Sequence, residues 1–570
     1  FPFYNHKLLV MHNLDWFVLV LTLLLIVIYG TIKTSGAKNA NEYIKAGNEA
    51  KWWTIGLSVM ATQASAITFL STPGQAYNDG LGFVQFYFGL PIAVIVVCTI
   101  FIPIYHKLKV YTAYEFLESR FDLKTRSLTA VLFLIQRSLS ASITIFAPAI
   151  ILSTVLGWDL ITTNIIIGSL VIIYTVSGGT RAVNFTQKYQ MGVILIGLVI
   201  VLFTIFSLFP NDINFEKAIK IASANSKMDV LNFSFDLENR YTVWSGIIGG
   251  TFLMMSYFGT DQSQVQRYLS GKSLKEMQLG MIFNGIFKIP MQFFILFIGV
   301  MVFVFYQFNP SPLNFNPQGK IIISNSNYEN EYKKLEENLQ KNFDERTYIL
   351  NDILLKDKTE VKEKIDNLNY EEKNIRDRAK ILIGKAAKDN NVKVETNDKD
   401  YVFINFILEN LPKGLIGLLL AVIISAAMSS TSSEINALAT TTSIDILKRN
   451  FSYVNDDNIV YFTKLMTLFW GLCAIALACV AYLADNLIQL VNIIGSIFYG
   501  NVLGIFLIAF FLKVLKSNSV FIGAIITQII IIIAWFYDWM PFLWLNVFGC
   551  VMVILISILI QLTLKGFKAS

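Results

Sequence analysis

The sequence predicts an all-α polytopic membrane protein with about 13 transmembrane helices, and three observations carry that prediction. Hydrophobic residues fill 54% of the 570 positions and charged residues only 15%, an apolar excess beyond what soluble cores need. The apolar residues gather in runs of about 18 or more, the length that crosses a hydrocarbon layer as a helix. Lys and Arg cluster at the ends of these runs, in every second link, the pattern that marks cytoplasmic loops.

In chain order the runs cover roughly 13–30, 52–73, 82–104, 128–153, 160–177, 186–208, 242–262, 279–308, 412–446, 459–482, 487–512, 519–538 and 542–564. An odd number of crossings puts the termini on opposite sides. The basic links hold Lys33/Lys38/Lys45, His106/Lys107/Lys109 with Lys124/Arg126, Arg181/Lys188, Arg267/Lys272/Lys275, Lys448/Arg449, Lys513/Lys516 and Lys565/Lys568. They place the N-terminus outside and the C-terminus in the cytoplasm of a cell membrane protein. The first run is a span and not a removable signal, because its positive charges follow the apolar stretch and no small-residue cleavage site closes it. Met11 reads as a natural start, with residues 1–10 preceding it.

One segment breaks the apolar pattern. Residues 309–402 open with "NPSPLNFNPQG" and continue with dense mixed charge. Leu335, Leu339, Phe343, Ile353, Leu354 and Ile365 recur at helical spacing within it, which predicts an extracellular helical hairpin. The chain then divides into an extra N-terminal span (13–30), a block from 52 to 308, the charged insert (309–402), a second block from 403 to 512 and two C-terminal spans (519–564).

Several chemistries are disfavoured. Cys98, Cys473, Cys479 and Cys550 all sit inside apolar runs and read as small hydrophobes, not as disulfides or metal ligands. His6, His12 and His106 lie at or outside the membrane boundaries, so no nucleophile or metal constellation of an enzyme is visible. The net charge of +6 comes from topology-setting clusters, and no basic groove for nucleic acid is indicated.

Three stretches stand out. In "ISAAMSSTSSEINA", Ala426, Ser429, Ser430, Ser433 and Ala437 share one helical face, small and rich in oxygen. Such a face packs helices closely or supplies oxygens to a cation, and the stretch alone leaves both readings open. In "SVMATQASAITFLSTPGQAY" (58–77), Thr62, Gln63, Ser65, Thr68, Ser71, Thr72, Pro73 and Gly74 interrupt an apolar run. In "GGTFLMMSYFGTDQSQVQRYL" (249–269), Gly249, Gly250 and Gly259 lie within such a run and Asp261 ends it. Polar, Gly/Pro-marked middles predict discontinuous helices, whose freed backbone groups serve an ion and a solute and are tolerated only where they line a cavity. Breaks in the second and seventh spans, five apart, predict two five-helix inverted repeats with a site where the breaks face each other.

Together "SAITFLSTPGQAY", "YTAYEFLESRF", "GGTRAV", "GTDQSQVQRYLSGKS" and "SAAMSSTSSEINALATTTSIDIL" resemble the sodium/solute symporter family, which includes sodium/glucose, proline, iodide, multivitamin and monocarboxylate cotransporters. The resemblance spans about 13–512 apart from the insert. It implies a LeuT-type 5+5 inverted repeat formed by the second to eleventh spans. It also implies sodium as the coupling ion, and import of a small polar organic solute, such as a sugar, carboxylate or vitamin, by alternating access. A membrane sensor on the same fold without net transport is the alternative; the chain end "LTLKGFKAS", with no further domain after it, weighs against that. The partners implied are the solute and the bilayer.

Carried over residue by residue, the sodium site falls on the carbonyls of Ala61, Ala64 and Ala426 and the hydroxyls of Ser429 and Ser430, all hard oxygen donors that suit a hard cation. On the solute side the resemblance implies Gln63, Thr68, Tyr87, Tyr257 as an inner aromatic gate, its neighbour Phe258, Asp261, and Lys288 where sugar-transporting relatives place a lysine. Lys288 pairing locally with Asp261 is the competing reading. Thr68 and Tyr87 stand where a sugar-carrying relative has acidic and amide side chains.

One departure concerns a second ion site. Relatives with such a site carry Thr-Asp after the "GG", whereas "NFTQKYQ" places Gln187 and Lys188 there. The hydroxyls of Ser432 and Ser433 are retained beside Ser429, and Glu434 adds a carboxylate. The expectation is an absent or altered second site, with Glu434 near Lys188 or taking up a proton, or else reaching an inner vestibule.

Overall fold

The computed structural model describes residues 12–34, 39–236, 238–355, 358–392, 394–480 and 487–569. Residues 1–11, on which the reading of Met11 falls, and Lys38 lie outside the described residues, as do the side chains of Ile353 and Leu354.

The described chain is helical. Its first part comprises α1 (Asn13–Thr34), α2 (Ala40–Lys45), α3 (Trp52–Gln63), α4 (Ala66–Asp79), α5 (Leu90–Val96), α6 (Ile102–Leu108), α7 (Glu115–Arg120), α8 (Leu123–Leu156) and α9 (Leu160–Ser207). Then come α10 (Phe215–Ala224), α11 (Gly250–Gly259), α12 (Gln262–Leu269) and α13 (Leu274–Phe308), followed by α14 (Pro317–Ser324), α15 (Glu329–Leu355) and α16 (Lys358–Asp389). The chain closes with α17 (Val402–Asn410), α18 (Leu415–Thr441), α19 (Lys448–Asn450), α20 (Ile459–Val480), α21 (Leu487–Phe511), α22 (Ser517–Phe536) and α23 (Phe542–Ala569). Side chains cap several starts: Asp122 accepts from the Thr125 amide, Asp159 from Ile161 and Thr162, and Ser273 from Glu276, satisfying first-turn donors.

Among the described residues nine helices are long and apolar enough to cross a membrane, and two apolar helices, Asn13–Leu25 and Leu160–Ile173, are shorter. Interruption accounts for the remaining short pieces, since α3 and α11 end within 12 and 10 residues. Exposed Phe17, Ile95, Ile173, Ile196, Phe203, Ile286, Leu472, Leu559 and others form the apolar exterior that lipid demands of a multi-pass membrane protein.

The breaks lie elsewhere than the Pro/Gly signals suggest. The second span parts at Ala64–Ser65, between α3 and α4, while Pro73 and Gly74 sit inside α4. They serve close approach: a Cβ on Gly299 of α13 would lie 2.2 Å from the Pro73 carbonyl, and one on Gly74 would lie 1.9 Å from that of Lys399. The seventh span parts at Thr260–Asp261, where Asp261 caps α12 by accepting from the Ser263 amide. Gly179, at φ 54°, divides α9, a left-handed conformation that favours glycine.

Packing centres on α18, which touches α1, α3, α8, α9 and α20. At its start the buried Asp15 carboxylate of α1 accepts from the amides of Gly414 (2.5 Å) and Gly417 (3.0 Å). The insert is a helical hairpin of α15 on α16 with its own core, including Leu335, Leu339, Leu382 and Ile383. Arg376 fastens it by donating to the carbonyls of Pro312 and Leu313 and to the Ser311 hydroxyl. Arg346 donates to Gln307 at the end of α13.

Candidate ion and solute site

At the first break Ser65 adopts extended backbone, so the last carbonyls of α3 lack the amides that would continue the helix. Ala64 itself has φ −86° and ψ 75°. The Ser429 hydroxyl of α18 donates to the Ala61 carbonyl across 3.4 Å, and the Ser430 hydroxyl to the Ala426 carbonyl at 3.1 Å. Ser429 and Ser430 are buried. Each hydroxyl spends its proton on a carbonyl and keeps its oxygen lone pairs, a donor set of neutral, hard oxygens that fits sodium.

One turn away, Gln187 fills the space between α3, α9 and α18. Its Nε2 donates to Ser433 Oγ (2.9 Å), Thr62 Oγ1 (3.2 Å) and the Ser429 carbonyl (3.3 Å), and its Oε1 accepts from the Ser58 hydroxyl. Ser432 does not join this cluster; its hydroxyl donates to the Ser429 carbonyl at 2.9 Å. Lys188 points away, with Nζ 4.7 Å from the Phe185 ring centroid and 5.0 Å from that of Trp53.

Beside the break lies a cavity lined in part by Gln63, Thr68, Tyr87, Tyr257 and Glu434. Glu434 does not meet Lys188. One residue past Ser433, it is turned about 100° around the helix and faces α8, where Arg137 Nη1 donates to it at 3.0 Å and Thr144 at 2.6 Å. The other Arg137 terminal nitrogen is paired with Asp261 and donates to the Tyr499 hydroxyl at 2.8 Å. Asp261 accepts further from Tyr499 (3.0 Å) and Ser263 (2.7 Å). It is therefore bound to Arg137, not to Lys288. Phe258, Asp261 and Lys288 are not among the lining residues. Lys288 is fully buried without a hydrogen-bond partner, its Nζ 5.8 Å from the Tyr87 ring centroid. Tyr257 accepts from Gln264 at 2.5 Å and its ring lies 6.0 Å from that of Tyr499.

Arg137, Thr144 and Tyr499 escaped the reading of the sequence. The signal was present: a lone arginine inside "FLIQRSLSASITIF" is an ionisable group at membrane depth, a functional hypothesis by default.

Comparison with known proteins agrees with this architecture. The chain is 25% identical over 492 residues to the human sodium/iodide cotransporter, a match covering 86% of the chain and 64% of the relative. It is 26% identical over 479 residues to mouse sodium-coupled monocarboxylate transporter 1, covering 84% and 65%. The chain thus spans slightly less than two thirds of the length of these two relatives. The sodium/sialic acid symporter SiaT of Proteus mirabilis (strain HI4320) is 25% identical over 524 residues, covering 91% of the chain and 88% of that protein. The fold is similar to that of a solved Na+-coupled sialic acid symporter described as substrate-bound and outward-open, with TM-score 0.73 and 23% identity over 96% of this chain and 97% of that one. These relatives are sodium-coupled transporters, not enzymes. The model of the sodium:solute symporter family matches residues 43–343 and 380–527, and the chain belongs to that family.

Proposed function

We propose that this protein is a sodium-driven symporter that imports a small polar organic solute by alternating access. The observation that carries the reading is the bridge from Ser429 to the Ala61 carbonyl at the break between α3 and α4, beside the cavity lined by Gln63, Thr68, Tyr87 and Tyr257. Sodium shared by Ala61, Ala64, Ala426, Ser429 and Ser430 would fasten α3 to α18 only while bound, and so tie the shape of the cavity to ion occupancy.

Within this reading the chain crosses the membrane thirteen times, with the spans from α3 to α21 forming a LeuT-type 5+5 inverted repeat. The breaks at Ala64–Ser65 and Thr260–Asp261 occupy corresponding places in the two repeats. The N-terminus and the 309–402 insert lie outside and the C-terminus lies in the cytoplasm, and Tyr257 forms part of the inner gate. Gln187 presents an amide donor to Ser433 and Thr62 where an aspartate would serve a second ion, which supports coupling to a single sodium.

The test is uptake by purified protein in liposomes under an imposed sodium gradient. Accumulation that requires inward sodium, and that Ser429→Ala/Ser430→Ala abolishes, is the expected result. Uptake indifferent to sodium in both proteins would overturn the reading.

A further inference from the structure

The relatives compared above carry iodide, monocarboxylates and sialic acid by name, all anions at neutral pH. The cavity of this chain is built against such cargo. Arg137 and Glu434 are the charged side chains that line it among the described residues, and the guanidinium is already engaged by two carboxylates, Glu434 and Asp261. All three side chains are buried, and with both carboxyls ionised the group carries one surplus negative charge in a low-dielectric setting. Lys288, the other buried cation nearby, approaches the Tyr87 ring and stays outside the lining. Even counting it, the four charges sum to zero.

The polar atoms left over tell what the cavity accepts. Gln63 Oε1 is buried without a hydrogen-bond partner and belongs to a side chain lining the cavity. It is an acceptor awaiting a donor, and leaving a buried acceptor unmet is costly. Glu434, beside it in the lining, is acceptor-only when ionised. An anion would meet the Glu434 carboxylate and would have to displace a carboxylate from Arg137 to find a cation, because the other donors of the lining, among them Thr68 and Tyr87, are neutral.

We propose that this cavity selects a solute that donates hydrogen bonds and carries no net negative charge, a polyol or an organic amine, and that the Glu434–Arg137–Asp261 group is the element that rejects anions. The inference rests on the reading of the cavity as the transport site.

The experiment is sodium-gradient-driven uptake of radiolabelled solute in proteoliposomes of the full chain. Challenges are myo-inositol and D-glucose as the neutral arm, choline and ethanolamine as the amine arm, and lactate, iodide and N-acetylneuraminate as the anionic arm. Sodium binding is followed in parallel by thermal shift. The expected result is a response in the neutral or the amine arm at least about tenfold above the anionic arm, the responding arm identifying the source of the donors. Glu434→Gln and, separately, Asp261→Asn should raise the response to the anions, a gain that misfolding cannot produce. An anionic response in the parent equal to the others, or anion responses unchanged in both variants, overturns the proposal. Silence in every arm while sodium still shifts the unfolding temperature also overturns it, yet leaves the ion site standing. Loss of the sodium shift as well would instead sink the transport reading itself.

Discussion

Gln187 Nε2 on α9 lies 2.9 Å from Ser433 Oγ on α18, and the same amide reaches Thr62 on α3. A neutral carboxamide thus cross-links three helices where a carboxylate would be needed to offset a second cation. The expected sodium-to-solute ratio is one, read from the reversal potential of uptake at fixed solute gradients. A ratio of two, together with unchanged pH and sodium dependence in Glu434→Gln, would remove this account.

Ser429→Ala and Ser430→Ala each delete one buried oxygen of the proposed sodium site. Each change should weaken the apparent sodium affinity by roughly five- to a hundredfold, corresponding to about 1–3 kcal/mol, and the double change should nearly abolish coupling. Sodium titrations of uptake report this directly; parental sodium dependence in the double variant would show that the ion sits elsewhere.

Tyr257 closes one wall of the cavity, with its hydroxyl held by Gln264. Truncation to Ala opens that wall to water and removes the proposed aromatic gate, so the half-saturating solute concentration should rise about tenfold while sodium affinity is retained. Normal solute affinity in Tyr257→Ala would take Tyr257 out of the gate.

A second buried ion pair lies away from the cavity. Asp445 accepts from Arg126 and Thr112, both at 2.7 Å, and Arg126 also meets Glu118 at 2.6 Å. Removing the Asp445 carboxylate leaves the buried Arg126 guanidinium with Glu118 as its remaining ion-pair partner and a hydrogen bond weakened, at a cost of about 1–3 kcal/mol. Asp445→Asn should therefore lower the unfolding temperature by several degrees, whereas a change at the exposed Lys220–Glu216 pair should be silent by the same measurement.

In the insert, burial and the neighbouring Asp400 push the Glu395 carboxyl up from 4.5 to about 9. The folded protein therefore holds a proton that the unfolded chain releases above its ordinary carboxylate range. This contribution to stability is fully present below pH 4.5 and is lost as pH rises towards about 9. Glu395→Gln should flatten the fall in unfolding temperature between pH 5 and 9; an unchanged slope would mean that Glu395 is already ionised in the fold.

The helical architecture was legible because lipid imposes long apolar runs, and the oxygen-rich face of Ser429 and Ser430 was legible because polar residues are costly at that depth. The positions of the breaks were not. Pro73 and Gly74 looked like interruptions, yet α4 runs through them, since proline and glycine also permit close backbone approach to Gly299 and Lys399. A sequence does not separate these two uses. The partner of Glu434 was missed for a related reason. Arg137 lies 297 residues away along the chain, and the choice between it and Lys188 depends on a 100° step around α18 that only packing resolves.

The Asp15 cap on Gly414 and Gly417 has a mechanical meaning. It makes the N-terminal end of α18 and the first turn of α1 a single lever, because the two amides keep their acceptor only if both helices tilt together. A tilt of α18 that keeps this cap carries α1 with it. Spin labels placed on these two helices would then hold a constant separation whether or not sodium is present.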